Sequence, residues 1–172
     1  MVFDSYLSLN YENSVIVDLG CGTGRFAIAS ALLNPLQVVC VDIDHEALKV
    51  AMMYASKFNV KELIDFVQAA IPFFNLTKAD VVFQNPPFGV HKRHADLLFL
   101  STALELKPKI VYTIHKSNEA ARKLITKVCS ERNYVATILA TKTITIPPYM
   151  KHHFKMKHKV LVDIYKVVKR RK

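Results

Sequence analysis

Short apolar runs alternate with helix-like stretches along most of this chain. Five runs of five or six residues, rich in apolar and β-branched side chains, cover 14–19, 37–41, 63–68, 79–84 and 110–114, and each is typical of a buried strand. Apolar residues recur at helical spacing over 25–33, from Asp44 to about 57, over 94–106 and over 117–132. Strands that alternate with helices predict a parallel sheet covered by helices on both faces.

The last part of the chain departs from this alternation. Two long strands are predicted over 134–146 and 159–168, and no helix separates them. They predict an antiparallel pair at one edge of the sheet. The predicted fold class is α/β: a single Rossmann-like, doubly wound sheet, mostly parallel, in one domain that spans 1–172. The segment 147–172 contributes a basic loop, an edge strand and a tail to that domain.

Positive charge is concentrated at the carboxyl-terminal end of the sequence. The chain carries 24 Lys and Arg against 14 Asp and Glu, a net charge of +10, and 51% of its residues are apolar. Residues 151–172 hold nine Lys or Arg and one acid, so most of the net charge lies there. Tyr149 and Phe154 lie among these cations. Aromatic rings among cations suit looped or single-stranded RNA, whose bases can stack.

Several classes of protein are excluded by the pattern of apolar runs and cysteines. The apolar runs are too short to cross a bilayer, and Asp4 stands where a secretory signal would carry bases. Cys21, Cys40 and Cys129 are far apart, odd in number and outside any metal-ligand spacing, which fits free thiols in a reducing compartment. We therefore expect a cytoplasmic protein with no membrane segment and no metal of its own.

A glycine-rich turn follows the first predicted strand. Three of the four glycines in the chain lie within Asp18–Gly24, at every second position. Such a turn lets a nucleotide-like ligand lie close to the main chain, at the crevice beyond the strand ends. Asp42 ends the second predicted strand, where a carboxylate can accept both hydroxyl hydrogens of a ribose. The spacing also fits NAD, but Asp18 suits a cationic ligand better than a pyrophosphate, and this favours S-adenosylmethionine.

A second motif, Asn85-Pro86-Pro87-Phe88-Gly89, follows the fourth predicted strand. The two prolines fix the local backbone and leave carbonyl groups as acceptors. Together with the Asn85 side-chain oxygen, these acceptors suit a planar NH₂ group that has two hydrogens to donate. Phe88 supplies a flat face on which a base can stack. The motif therefore predicts methyl transfer to a planar amine or amide, driven by positioning.

The chain resembles the class I S-adenosylmethionine-dependent methyltransferases that have an Asn-Pro-Pro-aromatic motif. Within them it is most similar to the archaeal and eukaryotic methyltransferase-like rRNA adenine-N6 methyltransferases. The matching stretches are VIVDLGCGTG (15–24), VVCVDIDHEAL (38–48), NPPFG (85–89) with the following Asp96-x-x-Phe99-Leu100, His115-Lys116-Ser117, and PPYMKHHFKMKHK (147–159).

The resemblance implies roles for nine residues. Those that would hold the methionine part of the cofactor are Asp18, Gly20, Gly22 and Thr23. Those that would hold its ribose and its adenine are Asp42 and Ile43. Those that would hold the target amine and stack on the target base are Asn85, the Pro86 carbonyl and Phe88. The family also pairs with a small zinc-containing activator protein that extends the sheet edge, which makes such a partner an expectation here.

Two departures from the family pattern affect the cofactor. The family has a helical segment with a Glu-Gln-Tyr-x-Thr type motif before the first strand, whereas 13 residues without that motif precede it here. Ala70 takes the place of an acid that the family has near the adenine amine. Both departures predict weaker cofactor binding than in the family.

The expected function is methyl transfer to N6 of an adenine in structured RNA, most simply small-subunit rRNA. Three alternatives stay open from the sequence. The acceptor can be guanine N2 or a protein glutamine amide, or the chain can be a catalytically silent RNA-binding module.

Overall fold

The computed structural model describes residues 1–74, 76–87, 95–146 and 158–170. The strands in these residues are β1 (Val15–Leu19), β2 (Gln37–Asp42), β3 (Ile64–Gln68), β4 (Val81–Gln84), β5 (Ile110–Lys116), β6 (Tyr134–Ile146) and β7 (His158–Lys169). The helices are α1 (Val2–Ser8), α2 (Arg25–Ala31), α3 (His45–Lys57), α4 (Ala95–Glu105) and α5 (Glu119–Ser130). Each strand and helix that the sequence predicts is present, with bounds that differ by no more than about two residues.

Helix α1 is an addition that the sequence pattern did not predict. It is only seven residues long, and its Phe3 and Leu7 side chains are exposed. Its anchor is polar: the Asp4 carboxylate accepts hydrogen bonds from the Tyr112 hydroxyl and, at 2.6 Å, from Lys166 Nζ. Because these partners lie more than 100 residues away in sequence, local periodicity carries no signal for this helix.

The seven strands form one sheet in the order β3-β2-β1-β4-β5-β7-β6. Strands β1 to β5 run parallel, and β7 lies antiparallel between β5 and β6. The prediction of a mostly parallel sheet with an antiparallel edge pair is therefore confirmed. From β1 the chain adds β2 and β3 on one side and then crosses to add β4 on the other side of β1. This reversal opens a crevice at the carboxyl ends of the central strands.

Alternation along the buried strands divides the core into two layers. One layer packs the sheet against α4 and α5, and its members include Val17, Leu19, Val82, Val111 and Leu100. The other packs it against α2 and α3, and its members include Ile16, Val38, Phe83, Ala27 and Leu48. Successive strand residues point to opposite faces, so both faces are covered and the strands read as continuous apolar runs.

The register of the central strands brings three chain segments to one edge. Leu19 at the end of β1 is level with Val41 in β2 and with Gln84 in β4. Neighbouring strands lie about 4.8 Å apart. The glycine turn, the end of β2 and the Asn85-Pro86-Pro87 segment therefore leave the sheet side by side.

None of the helices in the described ranges has the length and apolar character needed to span a bilayer. Cys21, Cys40 and Cys129 are free thiols, and all three are buried. Of the predicted basic loop, 147–158, residues 147–157 lie outside the described residues, and His158 is the first residue of β7. The assignment of the whole chain to one domain stays a prediction.

Candidate active site

The turn after β1 is held against β2 by its own backbone. Gly20 N and Cys21 N both donate to the Val41 carbonyl, at 2.8 and 3.0 Å. Gly20 has a φ of +68°, and a Cβ there would lie 2.6 Å from Cε1 of Phe99 on α4. At Gly22, where φ is +53°, a Cβ would meet nothing within 4 Å. The turn is therefore closed toward α4 at Gly20 and open at Gly22, where a ligand can approach the main chain.

Asp18, in β1 two residues before Gly20, is a buried acid. It is 1% exposed, and its Oδ2 accepts one hydrogen bond, 2.9 Å long, from Ala27 N in α2. Burial raises the pKa of its carboxyl group to about 7; the Ala27 N–H lowers it, and the charge of Asp42 raises it further. No Lys, Arg or His in the described part of the chain forms an ion pair with Asp18. The site thus contains a carboxylate that a cationic ligand would stabilise.

Asp42 ties the glycine turn to the start of α3. Its Oδ2 accepts from Gly22 N at 2.7 Å, and its Oδ1 accepts from Asp44 N at 2.9 Å. Asp44 in turn caps α3, because its Oδ1 accepts from Glu46 N and Ala47 N. An ionised carboxylate has about four acceptor positions, so two remain for a pair of hydroxyl groups. The structure therefore gives Asp42 a structural role that the sequence did not indicate, beside the predicted ribose role.

The next residue, Ile43, presents an apolar side chain to solvent. It is 67% exposed, and its carbonyl accepts a hydrogen bond from Gln68 Nε2 at 3.3 Å. Ala69 N fixes the same loop by donating to the Asp42 carbonyl at 3.0 Å. An exposed isoleucine held beside the glycine turn is a surface on which an adenine ring can pack.

Thr23 occupies a different place from the other predicted cofactor residues. It is exposed and lines a groove of about 460 Å³ between α2 and α3, together with Arg25, Val50 and Tyr54. Its predicted contact with the methionine part of a cofactor stays a prediction.

The Asn85-Pro86-Pro87 segment follows β4 at the same edge. Asn85 and Pro87 are exposed, whereas Pro86 is buried. Asn85 follows Gln84, and Gly20 follows Leu19, which is level with Gln84 on the neighbouring strand. The exposed Asn85 and the open glycine turn therefore come directly after adjacent strands. Phe88, the predicted stacking residue, lies outside the described residues.

Two features near the site are not among the predicted site residues. Phe99 on α4 covers Gly20, and His115 in β5 is fully buried and hydrogen-bonded to Thr113 and Asp96. The spacing Asp96-x-x-Phe99 places both side chains on one face of α4. That spacing is the signal from which the contact of α4 with the glycine turn could have been predicted.

The arrangement as a whole is suited to a cationic nucleoside cofactor and a planar acceptor. It combines an unpaired buried acid, a carboxylate with free acceptor positions, an exposed apolar side chain and rigid carbonyl groups. S-adenosylmethionine carries an ammonium, a sulfonium, a ribose diol and an adenine. These groups match the side chains that the structure brings to this edge.

Comparisons with known proteins agree with this description. The family model described as a methyltransferase domain matches residues 10–171. An rRNA N(6)-adenosine-methyltransferase of Danio rerio is 31% identical over 156 residues, which cover 88% of this chain and 74% of the relative. A Pyrococcus horikoshii crystal structure, described as a candidate RNA methyltransferase, is 34% identical with a TM-score of 0.84, over 98% of this chain and 81% of that one.

A more distant structure shows the fold alone. The magnesium protoporphyrin IX methyltransferase of Synechocystis, crystallised with bound S-adenosylmethionine, is 16% identical with a TM-score of 0.73. It covers 98% of this chain, which in turn spans 76% of that protein. The class I methyltransferase fold predicted from the sequence is confirmed by these matches.

Proposed function

We propose, since this chain belongs to the methyltransferase-domain family, that it transfers a methyl group from S-adenosylmethionine to N6 of an adenine in RNA. The observation that carries the proposal is the placement of Asp18 and Asn85. A buried acid that forms no ion pair among the described residues lies at the end of β1, and an exposed amide beside a proline pair follows the neighbouring strand β4, at the same edge of the sheet. The rRNA adenine-N6 activity named for the Danio rerio relative supports the choice of acceptor.

The cofactor residues keep the roles that the resemblance implies. Asp18 would hold the ammonium group of the methionine part, beside the open backbone at Gly22 and with Gly20 and Thr23. Asp42 would accept the ribose hydroxyls with its remaining acceptor positions, and Ile43 would pack on the adenine. When bound, the cofactor supplies an electrophilic methyl group: the N–C bond forms as the sulfonium S–C bond breaks, S-adenosylhomocysteine leaves, and the amine proton passes to water.

The acceptor residues act by orientation. The Asn85 side-chain oxygen and the Pro86 carbonyl would each accept one hydrogen of the adenine amine, so that its lone pair points at the glycine turn. The buried Pro86 gives that carbonyl a fixed position. Phe88 is proposed to stack on the target base, which must be unpaired or flipped out to enter such a pocket.

A basic groove away from the acceptor segment adds support for RNA as the substrate. It has a volume of about 810 Å³ and lies at the amino end of β5, the end of the sheet opposite Asn85, where it would contact RNA outside the acceptor pocket. Its lining includes Lys107, Lys109, Lys166, Lys169 and Arg170. Two of these cations are paired, Lys109 with Asp80 and Lys166 with Asp4. The others add positive charge that phosphates can neutralise, as the predicted basic loop would. Small-subunit rRNA is the substrate that we propose within this class.

The partner and the compartment concern the cellular setting of this activity. The zinc-containing activator protein that the resemblance implies finds no support in the comparisons, so it stays a prediction. Free, buried thiols at Cys21, Cys40 and Cys129 fit the reducing cytoplasm that the sequence indicates.

The test is methyl transfer from labelled S-adenosylmethionine into total rRNA, followed by nucleoside analysis. We expect label in N6-methyladenosine and a loss of at least about a hundredfold in Asn85→Ala, because its oriented acceptor is removed. Asn13→Ala is the matched control, since Asn13 is also exposed but lies in the turn before β1. Label in methylated guanine or in protein would replace the proposed acceptor by one of the alternatives. No transfer in the presence of rRNA and cell extract, with cofactor binding retained, would favour the RNA-binding module.

A further inference from the structure

A buried chain of polar side chains runs from the end of β4 to the start of α4. Gln84, Thr113 and His115 are each 0% exposed. Gln84 Nε2 donates to Thr113 Oγ1 at 2.9 Å, Thr113 Oγ1 lies 2.8 Å from His115 Nε2, and His115 Nδ1 lies 3.2 Å from Asp96 Oδ2. Four side chains from β4, β5 and α4 are thus joined by three contacts.

Donors and acceptors can be assigned along this polar network, starting from Gln84. The Gln84 amide donates to the Thr113 oxygen, and the Thr113 hydroxyl hydrogen can bond to His115 Nε2. In this assignment His115 carries its own hydrogen on Nδ1 and donates it to the Asp96 carboxylate. The hydrogen bond from His115 lowers the pKa of the Asp96 carboxyl group, against the opposing effect of burial. With the hydrogens assigned in this way, each of the three contacts has one donor and one acceptor.

One end of this polar network is next to the proposed acceptor segment, and the other end is on the helix that contacts the glycine turn. Gln84 directly precedes Asn85, and its Oε1 is a buried acceptor with no partner among the described residues. The Nε2 bond to Thr113 is therefore what fixes the Gln84 amide. Asp96 lies in the first turn of α4, one turn before Phe99, which covers Gly20. The same helix thus meets both the polar chain and the glycine turn.

Burial of so many polar groups has no evident benefit for packing. The surrounding layer is apolar, with Leu19, Val82 and Val111 on the same face of the sheet. A buried polar network in such a layer contributes little net stability over apolar side chains of the same shape, but it specifies one arrangement. This network lies at the carboxyl edge, where the orientation of Asn85 decides whether the acceptor amine is held.

We propose that Thr113, His115 and Asp96 are positioning residues that fix Gln84, and through it Asn85, relative to α4 and the glycine turn. The inference rests on the proposed function, because it assigns these residues to the acceptor half of the same site. None of them contacts the acceptor itself.

The test compares Thr113→Val with Thr113→Ser. Valine keeps the shape of threonine and removes both the acceptor for Gln84 and the donor for His115, whereas serine keeps both. We expect Thr113→Val to lower kcat for RNA by about 10- to 100-fold, the effect of a small misplacement of a positioning group. We expect its KM for S-adenosylmethionine to stay within about twofold of wild type, and Thr113→Ser to keep kcat within about threefold.

A second readout does not depend on activity. In the ¹⁵N-labelled full chain, we expect the backbone amide signal of Asn85 and the Nδ1-protonated ring signature of His115 to change in Thr113→Val and to stay in Thr113→Ser. Asp96→Asn should alter the His115 signature as well. Asp96 is half-buried and is not part of the apolar core, so this variant replaces Thr113→Val if the latter fails to fold.

The outcomes separate the two proposals. If Thr113→Val matches Thr113→Ser in both kcat and the Asn85 signal, the positioning inference is wrong. If wild type methylates no RNA but the Asn85 signal moves as expected, the proposed substrate fails and the positioning network stands. A parallel loss of cofactor binding in Thr113→Val would show a general structural role and overturn the inference.

Discussion

Two buried carboxylates in this protein differ in their hydrogen-bond partners, and their pKa values are shifted in opposite directions. Asp163 in β7 is 0% exposed and accepts from Arg122 Nε at 2.8 Å, from Arg122 Nη2 at 3.0 Å and from Thr141 Oγ1 at 2.6 Å. Its pKa is lowered to about 2, first by the Arg122 hydrogen bond and against the effect of burial. Asp18 is as deeply buried, but it has a single backbone donor and a pKa raised to about 7.

The difference separates an acid that joins elements of the fold from an acid whose charge the described residues leave without a cation. Asp163 joins α5, β6 and β7 at the antiparallel edge, and its charge is compensated within the chain. Asp18 lies near the centre of the sheet beside the glycine turn, and its one hydrogen-bond donor is the Ala27 N–H, with no cation beside it in the described residues. An ionised buried acid without a partner destabilises a protein. We infer that Asp18 is retained for a cationic ligand, and the two acids can be compared by the same substitution.

The largest expected effect is on cofactor affinity. Asp18→Asn keeps an acceptor for Ala27 N and removes the charge that would hold the ammonium group. We expect the affinity for S-adenosylhomocysteine at pH 8 to fall on the order of a hundredfold, as for the loss of one partner of a buried charge pair. Titration calorimetry measures it.

Asp163→Asn is the matched control for this experiment. It removes an equally buried charge far from the glycine turn in the sheet order, so its affinity should stay within about threefold of wild type. Equal affinities for all three proteins would remove Asp18 from the cofactor site.

The sequence predicts the parallel sheet and the place of Asp18 in it, but it does not predict the partners of Asp163. The alternation of strands and helices predicts the parallel sheet, and the position of Asp18 before the glycine turn indicates a cationic ligand. The sequence does not show that β7 lies between β5 and β6, because pairing between distant strands leaves no local pattern. The pairing of Asp163 with Arg122 depends on that order.

The polar chain near the acceptor segment escapes sequence analysis for the same reason. Gln84 and Thr113 look like ordinary strand residues, and only the register of β4 with β5 brings them together. His115 follows an apolar strand, where burial and hydrogen bonding cannot be told from exposure in a pocket. The pairing register of distant strands, which the sequence does not reveal, is therefore what brings these polar side chains together.

The second expected effect is on stability, and its sign differs between the two acids. Between about pH 4 and 7, folded Asp18 holds a proton that the unfolded chain releases, so its contribution to stability falls as pH rises and stays lost above pH 7. At pH 8, Asp18→Asn should therefore raise the free energy of unfolding without cofactor, by about 1 to 3 kcal/mol.

Asp163→Asn should do the reverse. The lowered pKa of Asp163 contributes stability that is present above the carboxyl's unfolded pKa and is lost as pH falls toward 2. At pH 8 its removal should lower the free energy of unfolding by about 1 to 2 kcal/mol, a modest loss because the Arg122 side chain is half-exposed and can be hydrated. Urea unfolding measures both variants, and shifts of the same sign would contradict the comparison.

The smallest expected effect is the pH dependence of cofactor affinity. With the pKa of Asp18 near 7, most of the protein without cofactor carries a proton on this carboxyl at pH 6 and little of it does at pH 8. A ligand ammonium pairs with the carboxylate form, so binding must release that proton, and affinity for S-adenosylhomocysteine should rise about tenfold from pH 6 to 8.

Calorimetry at pH 6.5 in buffers of different ionisation enthalpy should detect release of most of one proton in wild type. Asp18→Asn isolates the contribution of Asp18, because the affinity of this variant should be nearly flat with pH and its proton release near zero. An equal slope in both proteins would assign the titration to another group and leave the raised pKa of Asp18 without a role in binding.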